Sequence, residues 1–217
     1  MEKLALIEHY MKDILSQDKT GHSTDHVERT LSLANKILVH EDKADSFIVR
    51  ATVLLHDVYD DKLYETDDAV LTAKNQTISF LLSIGVEPKT IDEIIYIIDN
   101  MSWSKSLDGA KQLTLNGQIV QDADRLEAMG AIAITRAITY GVVKNRILYD
   151  PTIPPRIARD KTEYRNDKST TINHFYEKLL RIQDKLNTDT ARQISDSRQQ
   201  FMLSFLEQFK AEWELKR

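Results

Sequence analysis

Helix breakers are scarce along most of this chain, and their placement constrains the fold more than any other feature. Of the four prolines only Pro88 lies outside the segment 151–155, and just six glycines are spread over 217 residues. Proline ends helices and glycine weakens them, so long helices are permitted almost everywhere and a turn-rich β-sandwich is disfavoured. Apolar residues recur at three- and four-residue steps from the start. Leu4, Ile7, Met11, Ile14 and Leu15 give one amphipathic helix. In "GHSTDHVERTLSLANKIL" a Ser23/Thr24/Asp25 capping cluster precedes Val27, Leu31, Leu33, Ala34, Ile37 and Leu38, which define a second. A third, from about Lys43 through His56, is apolar on all sides and is predicted to be central.

Residues 66–84 read as a fourth helix closed by Gly85, and "EPKTIDEIIYIIDNMS" as a fifth with Pro88 in its first turn. "QIVQDADRLEAMGAIAITRAITYG" reads as one long sixth helix. From Val142 to Lys168 the pattern fails, and three of the four prolines gather there. "STTINHFYEKLLRIQDKL", capped by Ser169, and "TDTARQISDSRQQFMLSFLEQFKAEWELK" are predicted to be two further helices. No run alternates as a strand would, and no repeat is visible. The expectation is all-α, one domain over 1–217. Its core spans about 20–140, an irregular proline-containing insertion about 142–168, and the C-terminal helices about 169–215.

Hydrophobic residues make up 41% and charged residues 29%, an ordinary globular balance. The net charge of -5 argues against general nucleic-acid binding. With no cysteine there are no disulfides, thiolate metal ligands or cysteine nucleophiles, which fits a reducing cytosol. Charges interrupt the first helix and no run approaches ~18 apolar residues, so neither a signal peptide nor a membrane span is expected. A cytoplasmic protein is the expectation. Phe201, Phe205 and Phe209 recur every four residues, a stripe that fits either a core face or a homodimer interface.

Chemistry gathers at a few points. "ATVLLHDVYDD" sets His56 and Asp57 side by side after an apolar run, His22 and His26 open the second helix, and "QDADRLEAM" carries Asp122 and Asp124. Neighbours on a helix point about 100° apart, so His56 and Asp57 converge on one ion only at a helix end. The polar Tyr59-Asp60-Asp61 that follows is consistent with such an end. Asp122 and Asp124 diverge by about 200°, so a regular helix aims only one of them at a given ion. Spacing alone does not say which.

The order H…HD…D, with its flanks "DHVERTLSLANKI", "ATVLLHDV" and "IVQDADRLEAMGAIAITRA", resembles the HD-domain metal-dependent phosphohydrolases. "TTINHFYEKLL" is similar to the C-terminal part of a subgroup of small, stand-alone bacterial HD hydrolases, so the resemblance covers most of the chain. It implies an HD-domain helical bundle with metal ligands His26, His56, Asp57 and Asp124, the last being the aspartate before a basic and an apolar residue, Arg125 and Leu126. Asp122 then orients or caps. A mixed imidazole–carboxylate set with open positions suits one divalent ion per chain, Mn²⁺, Mg²⁺, Fe²⁺, Co²⁺ or Ni²⁺. The implied reaction is hydrolysis of a small phosphorylated substrate, a nucleotide above all, by a phosphatase or pyrophosphohydrolase using metal-activated water.

In that scheme Asp57 is catalytic as well as a ligand, with His22 and Asp60 as acid–base neighbours. Arg125, Arg136, His174 and Lys178 are the candidate phosphate contacts, because cationic forks suit phosphate oxygens. The insertion adds Lys144, Arg146, Arg156, Arg159, Lys161, Arg165 and Lys168 against Asp150, Asp160, Glu163 and Asp167, which reads as a cationic lid or an ordinary solvated face. Tyr140 and Tyr149 are candidates to stack on a base, although tyrosines more often pack. Two alternatives stand beside this: a metal- and nucleotide-binding sensor without turnover, and an HD-fold di-iron oxygenase, which needs additional ligands.

Overall fold

The computed structural model describes residues 2–16, 24–61, 63–107, 109–156 and 169–216. Within them every regular element is helical: α1 (Glu2–Leu15), α2 (Thr24–Leu38), α3 (Ser46–Leu55), α4 (Asp67–Ser83), α5 (Pro88–Asn100), α6 (Trp103–Leu107), α7 (Leu115–Glu127), α8 (Gly130–Val143), α9 (Thr171–Glu177) and α10 (Asp189–Trp213). Two short 3₁₀ turns, Leu179–Arg181 and Gln183–Lys185, precede α10.

α3 is the axis of the bundle. Asp45 starts it, its carboxylate accepting from the Phe47 and Ile48 amides at 2.8 and 3.1 Å. Ile48, Val49, Ala51, Thr52, Val53, Leu54 and Leu55 are all buried, and α1, α2, α5 and α7 pack around them. That all-round burial explains a helix lacking a polar face. The buried hydroxyls of Thr52 in α3 and Thr30 in the neighbouring α2 donate to the Ile48 and His26 carbonyls one turn back. α4 ends at Gly85 (φ 74°), with the Gly85 amide on Leu82 O and the Val86 amide on Leu81 O, the double bond of a Schellman cap.

The long sixth helix expected from the sequence is two helices. α7 stops at Glu127 and α8 begins at Gly130 (φ 81°), with the axes bent by 70°. The alanine-rich sequence "EAMGA" conceals the break because one glycine is tolerated in a helix; here it takes a backbone conformation that L side chains rarely adopt. The expected helix over 169–186 is likewise shorter, since the chain tightens into 3₁₀ turns after α9. Phe175, Leu179 and Ile182 still reach the core, at 0, 4 and 1% exposure. Its cap is Thr170, whose Oγ1 accepts from the Asn173 amide, while Ser169 instead donates to Glu177.

α8 and the start of α9 touch at Gly141, where an added Cβ would meet Thr171 Oγ1 at 2.2 Å. Gly141→Ala is expected to destabilise by about 1–3 kcal/mol through overpacking. Denaturant unfolding measures it, and an unchanged midpoint would show that this contact relaxes freely. No single described helix is long and apolar enough to cross a membrane.

Candidate metal centre

Three helices deliver the polar cluster. His26 lies in the first turn of α2, His56 caps the C-terminus of α3, Asp57 follows in the turn, and Asp124 sits in the last turns of α7. His56, the C-cap of α3, keeps helical backbone angles (φ -63°, ψ -25°), and it is just past the last helical residue, Leu55, that its side chain and that of Asp57 come together. The Asp57 carboxylate stands 3.7 Å from His26 Nε2 and 3.4 Å from His56 Nε2. Asp124 Oδ1 stands 3.5 and 3.8 Å from the same two nitrogens.

The donor chemistry fits a cation. His56 Nδ1 lies 2.7 Å from the Val53 carbonyl, an acceptor only, so Nδ1 carries the proton and Nε2 presents its lone pair to the cluster. That Nε2 is buried without a hydrogen-bond partner among the described residues. One ligand atom from each of His26, His56 and Asp124 lies within 4.8 Å of the others. Donors ~2.1 Å from one ion stand about 3.0 Å apart when adjacent and about 4.2 Å apart when opposite, which brackets the four separations.

Electrostatics agree. Burial works against a charged His26, yet the Asp124, Glu127 and Asp57 carboxylates raise its pKa to about 9. Burial likewise works against ionised Asp124, but hydrogen bonding to His26 and the nearby imidazoles hold its carboxyl well below the ordinary range. The cluster attracts positive charge where the lone pairs meet.

A carboxylate not singled out from the sequence stands behind His26. Glu127, 2% exposed, has Oε2 3.4 Å from His26 Nδ1. It accepts from Arg136 Nη1 at 2.8 Å and from Arg29 Nε. Its signal in the sequence was spacing: Glu127 follows Asp124, and Arg29 follows His26, by three residues on one helical face. Arg136 arrives only because of the bend. On a straight helix its backbone would sit about 13 Å from that of Glu127.

Asp122 goes elsewhere. Fully buried on the opposite side of α7, it accepts from the Asn187 amide and Nδ2, the Thr188 amide and the Thr188 hydroxyl at 2.7–2.9 Å. It fastens the start of α10 rather than capping its own helix. Burial raises its pKa against those donors. Arg125 does not join the histidines either. Its guanidinium is buried and donates to the Lys185 carbonyl, because α7 turns that face toward the 3₁₀ segment. Asp60, half-buried, donates its amide to the Asp57 carbonyl at 3.1 Å and so continues the turn. His22, and Arg159, Lys161, Arg165 and Lys168 of the expected lid, lie outside the described residues.

The HD-domain family model matches residues 24–129, the segment that holds all four clustered side chains. YpgQ of Bacillus subtilis is 36% identical over 200 residues, 92% of this chain and 88% of that protein. The chain belongs to the HD-domain superfamily. Its fold follows a Lactobacillus plantarum crystal structure at TM-score 0.89, with 39% identity over 99% of this chain and 98% of that one. An HD-superfamily hydrolase from Bacillus thuringiensis superposes at 0.74, with 36% identity over 98% and 97%. The structure of YpgQ in complex with ADP superposes at 0.73, with 30% identity over 96% and 97% when aligned by structure.

Beyond the matched segment, this HD protein carries a second set of cations. Burial, then the charges of Lys178 and Arg146, push the His174 pKa down to about 3. Tyr140 has the Arg146 guanidinium 5.8 Å and the Lys144 ammonium 5.9 Å from its ring. Tyr149 is no base platform. It packs edge-on against Phe209 and Trp213 at 5.7 and 5.3 Å. Of the aromatic stripe on α10, Phe205 and Phe209 pack against the core, and Phe201 is exposed.

Neutral His174 has a pH consequence. Its pKa is lower folded than unfolded (about 6.5), so the unfolded chain binds more protons between about pH 6.5 and 3. Its contribution to stability is lost as pH falls through that window. His174→Gln is expected to flatten the acid limb of the stability–pH curve. An unchanged slope would place the acid sensitivity at other groups.

Proposed function

We propose that the chain is a divalent-metal-dependent phosphohydrolase acting on nucleotides, with His26, His56, Asp57 and Asp124 holding one cation. The observation that carries this is the convergence of two imidazole Nε2 atoms with two carboxylates, one of those nitrogens buried and unpartnered. When bound, the ion supplies Lewis-acid activation of water and of a phosphoryl oxygen. The mixed nitrogen–oxygen set favours Mn²⁺, Mg²⁺, Fe²⁺, Co²⁺ or Ni²⁺ over a closed zinc site.

The chain's own groups do the rest. Asp57 and Asp124 bring negative charge that the cation offsets, and Asp60, three residues past Asp57, takes the proton of the attacking water. Lys178 and Arg146 present positive charge toward anionic oxygens, and neutral His174, close enough to feel both charges, offers an N–H without adding charge. An anion bound there would raise the His174 pKa. Arg136, one-third exposed and paired with Glu127 beside the His26 ring, is the cation of α8 nearest the cluster and a candidate phosphate contact. A nucleotide substrate is supported by the ADP complex of YpgQ. The His22 assignment falls outside the described residues and rests on the sequence resemblance alone.

The test is a product-resolved panel of nucleoside mono-, di- and triphosphates, sugar phosphates and pyrophosphate, with each metal in turn. Phosphate or pyrophosphate is expected from nucleotides only when a divalent ion is added. Metal and nucleotide binding with no product on prolonged incubation would replace the enzyme by a sensor. Two ions per chain with oxygen consumption would replace it by an oxygenase.

A further inference from the structure

Resting on the proposed ligand set, we infer that Glu127 is the positioning residue that fixes the His26 imidazole as a metal donor. α7 offers two carboxylates one turn apart, and they address opposite edges of the same ring. Asp124 Oδ1 is 3.5 Å from Nε2, and Glu127 Oε2 is 3.4 Å from Nδ1. A proton on Nδ1, donated to Glu127, leaves Nε2 bare toward the cluster. A carboxylate behind a ligating imidazole orients the ring and raises its basicity.

His56 solves the same problem differently. Its Nδ1 donates to the Val53 carbonyl at 2.7 Å, a neutral acceptor built into the helix end. His26 sits in the first turn of α2, and among the described residues the acceptor facing its Nδ1 comes from another element, the negatively charged Glu127 of α7. The two imidazoles are thus held differently, His56 by a neutral acceptor and His26 by a charged one.

Glu127 is not among the proposed ligands: it stands at the Nδ1 edge of the His26 ring, and each of its oxygens meets an arginine. Arg29 Nε approaches Oε1, and Arg136 Nη1 approaches Oε2 at 2.8 Å. These two arginines, from α2 and α8, balance the buried charge and hold the carboxylate still. Arg136 also brings a competing arrangement. Its Nη1 lies 3.1 Å from His26 Nδ1, and two N–H donors cannot share that contact. Once the ring is neutral, as a metal donor has to be, either Nδ1 carries the proton and donates to Glu127, or Nδ1 is bare and accepts from Arg136. The second state puts the proton on Nε2 and closes the nitrogen to a cation. Glu127 selects the first by taking Arg136 onto its own oxygen.

Calorimetric titration of Mn²⁺ into wild type and Glu127→Gln separates the possibilities. The amide keeps the shape but loses the charge, and affinity is expected to fall 10- to 100-fold with far-UV circular dichroism unchanged. Equal affinity in both proteins overturns the inference while leaving the ligand set intact. Absence of Mn²⁺ binding by wild type overturns the ligand set itself. Should Glu127→Gln fail to fold, ¹⁵N spectra of the wild-type histidines with Mg²⁺ decide independently. A His26 proton on Nδ1 supports the assignment, and a proton on Nε2 overturns it.

Discussion

Replacing His56 by alanine is expected to remove both the proposed metal-dependent release of phosphate or pyrophosphate and most of the metal affinity. The expected loss of turnover is three orders of magnitude or more, as when one member of a group that acts as a unit is deleted. The residue caps α3 and its Nε2 is the unpartnered buried atom of the cluster, so alanine deletes a donor that no neighbour replaces. Asp57→Asn is expected to act in the same direction while preserving volume. Turnover is followed by product-resolved chromatography, and metal content by calorimetry on the folded variants. Full activity of either variant at saturating metal would remove the cluster from the chemistry.

Asp122→Ala, two residues from Asp124, is expected to fail in a different way. It strands four donors of Asn187 and Thr188 that now end on one carboxylate at the root of α10. Unsatisfied buried donors cost about 1–3 kcal/mol each, and partial access of water to Asn187 brings the expected total to about 3 kcal/mol. For a chain of this size that corresponds to a melting temperature lower by roughly 6–12 °C. Any remaining folded protein should retain its metal affinity, because Asp122 faces away from the histidines. A melting temperature within about 2 °C of wild type would mean that the start of α10 is held by other contacts. The pair of variants therefore separates a residue that binds from one that braces.

Much of the fold was legible because the helical period is a local signal. Leu4 to Leu15, Val27 to Leu38 and the stretch ending at Gly85 each lie where the spacing of apolar residues predicts a helix. Gly130 was not legible as a corner. A glycine amid alanines reads the same in a straight helix or a bent one, and what decides is packing of α8 against α10. For the site, the ordered histidines and aspartates named the elements that meet, but not the orientation of α7. Its rotation about its own axis separates Asp124 from Asp122 and carries Arg125 to the Lys185 carbonyl. Glu127 escaped notice because a glutamate near a helix end looks like an ordinary surface residue until its burial is known. Tyr149 shows the reverse, a tyrosine whose surroundings make it plain packing.

The corner at Gly130 also bears on where this molecule can be trimmed. The family match stops at residue 129, one position before the chain turns back. A fragment ended there would keep every side chain proposed to grip the ion. It would leave behind Arg136, the counter-charge that comes back over the turn to Glu127. The boundary of the family match and the electrostatic boundary of the centre do not coincide, and a minimal version engineered to the former would carry a buried acid with half its neutralising partners.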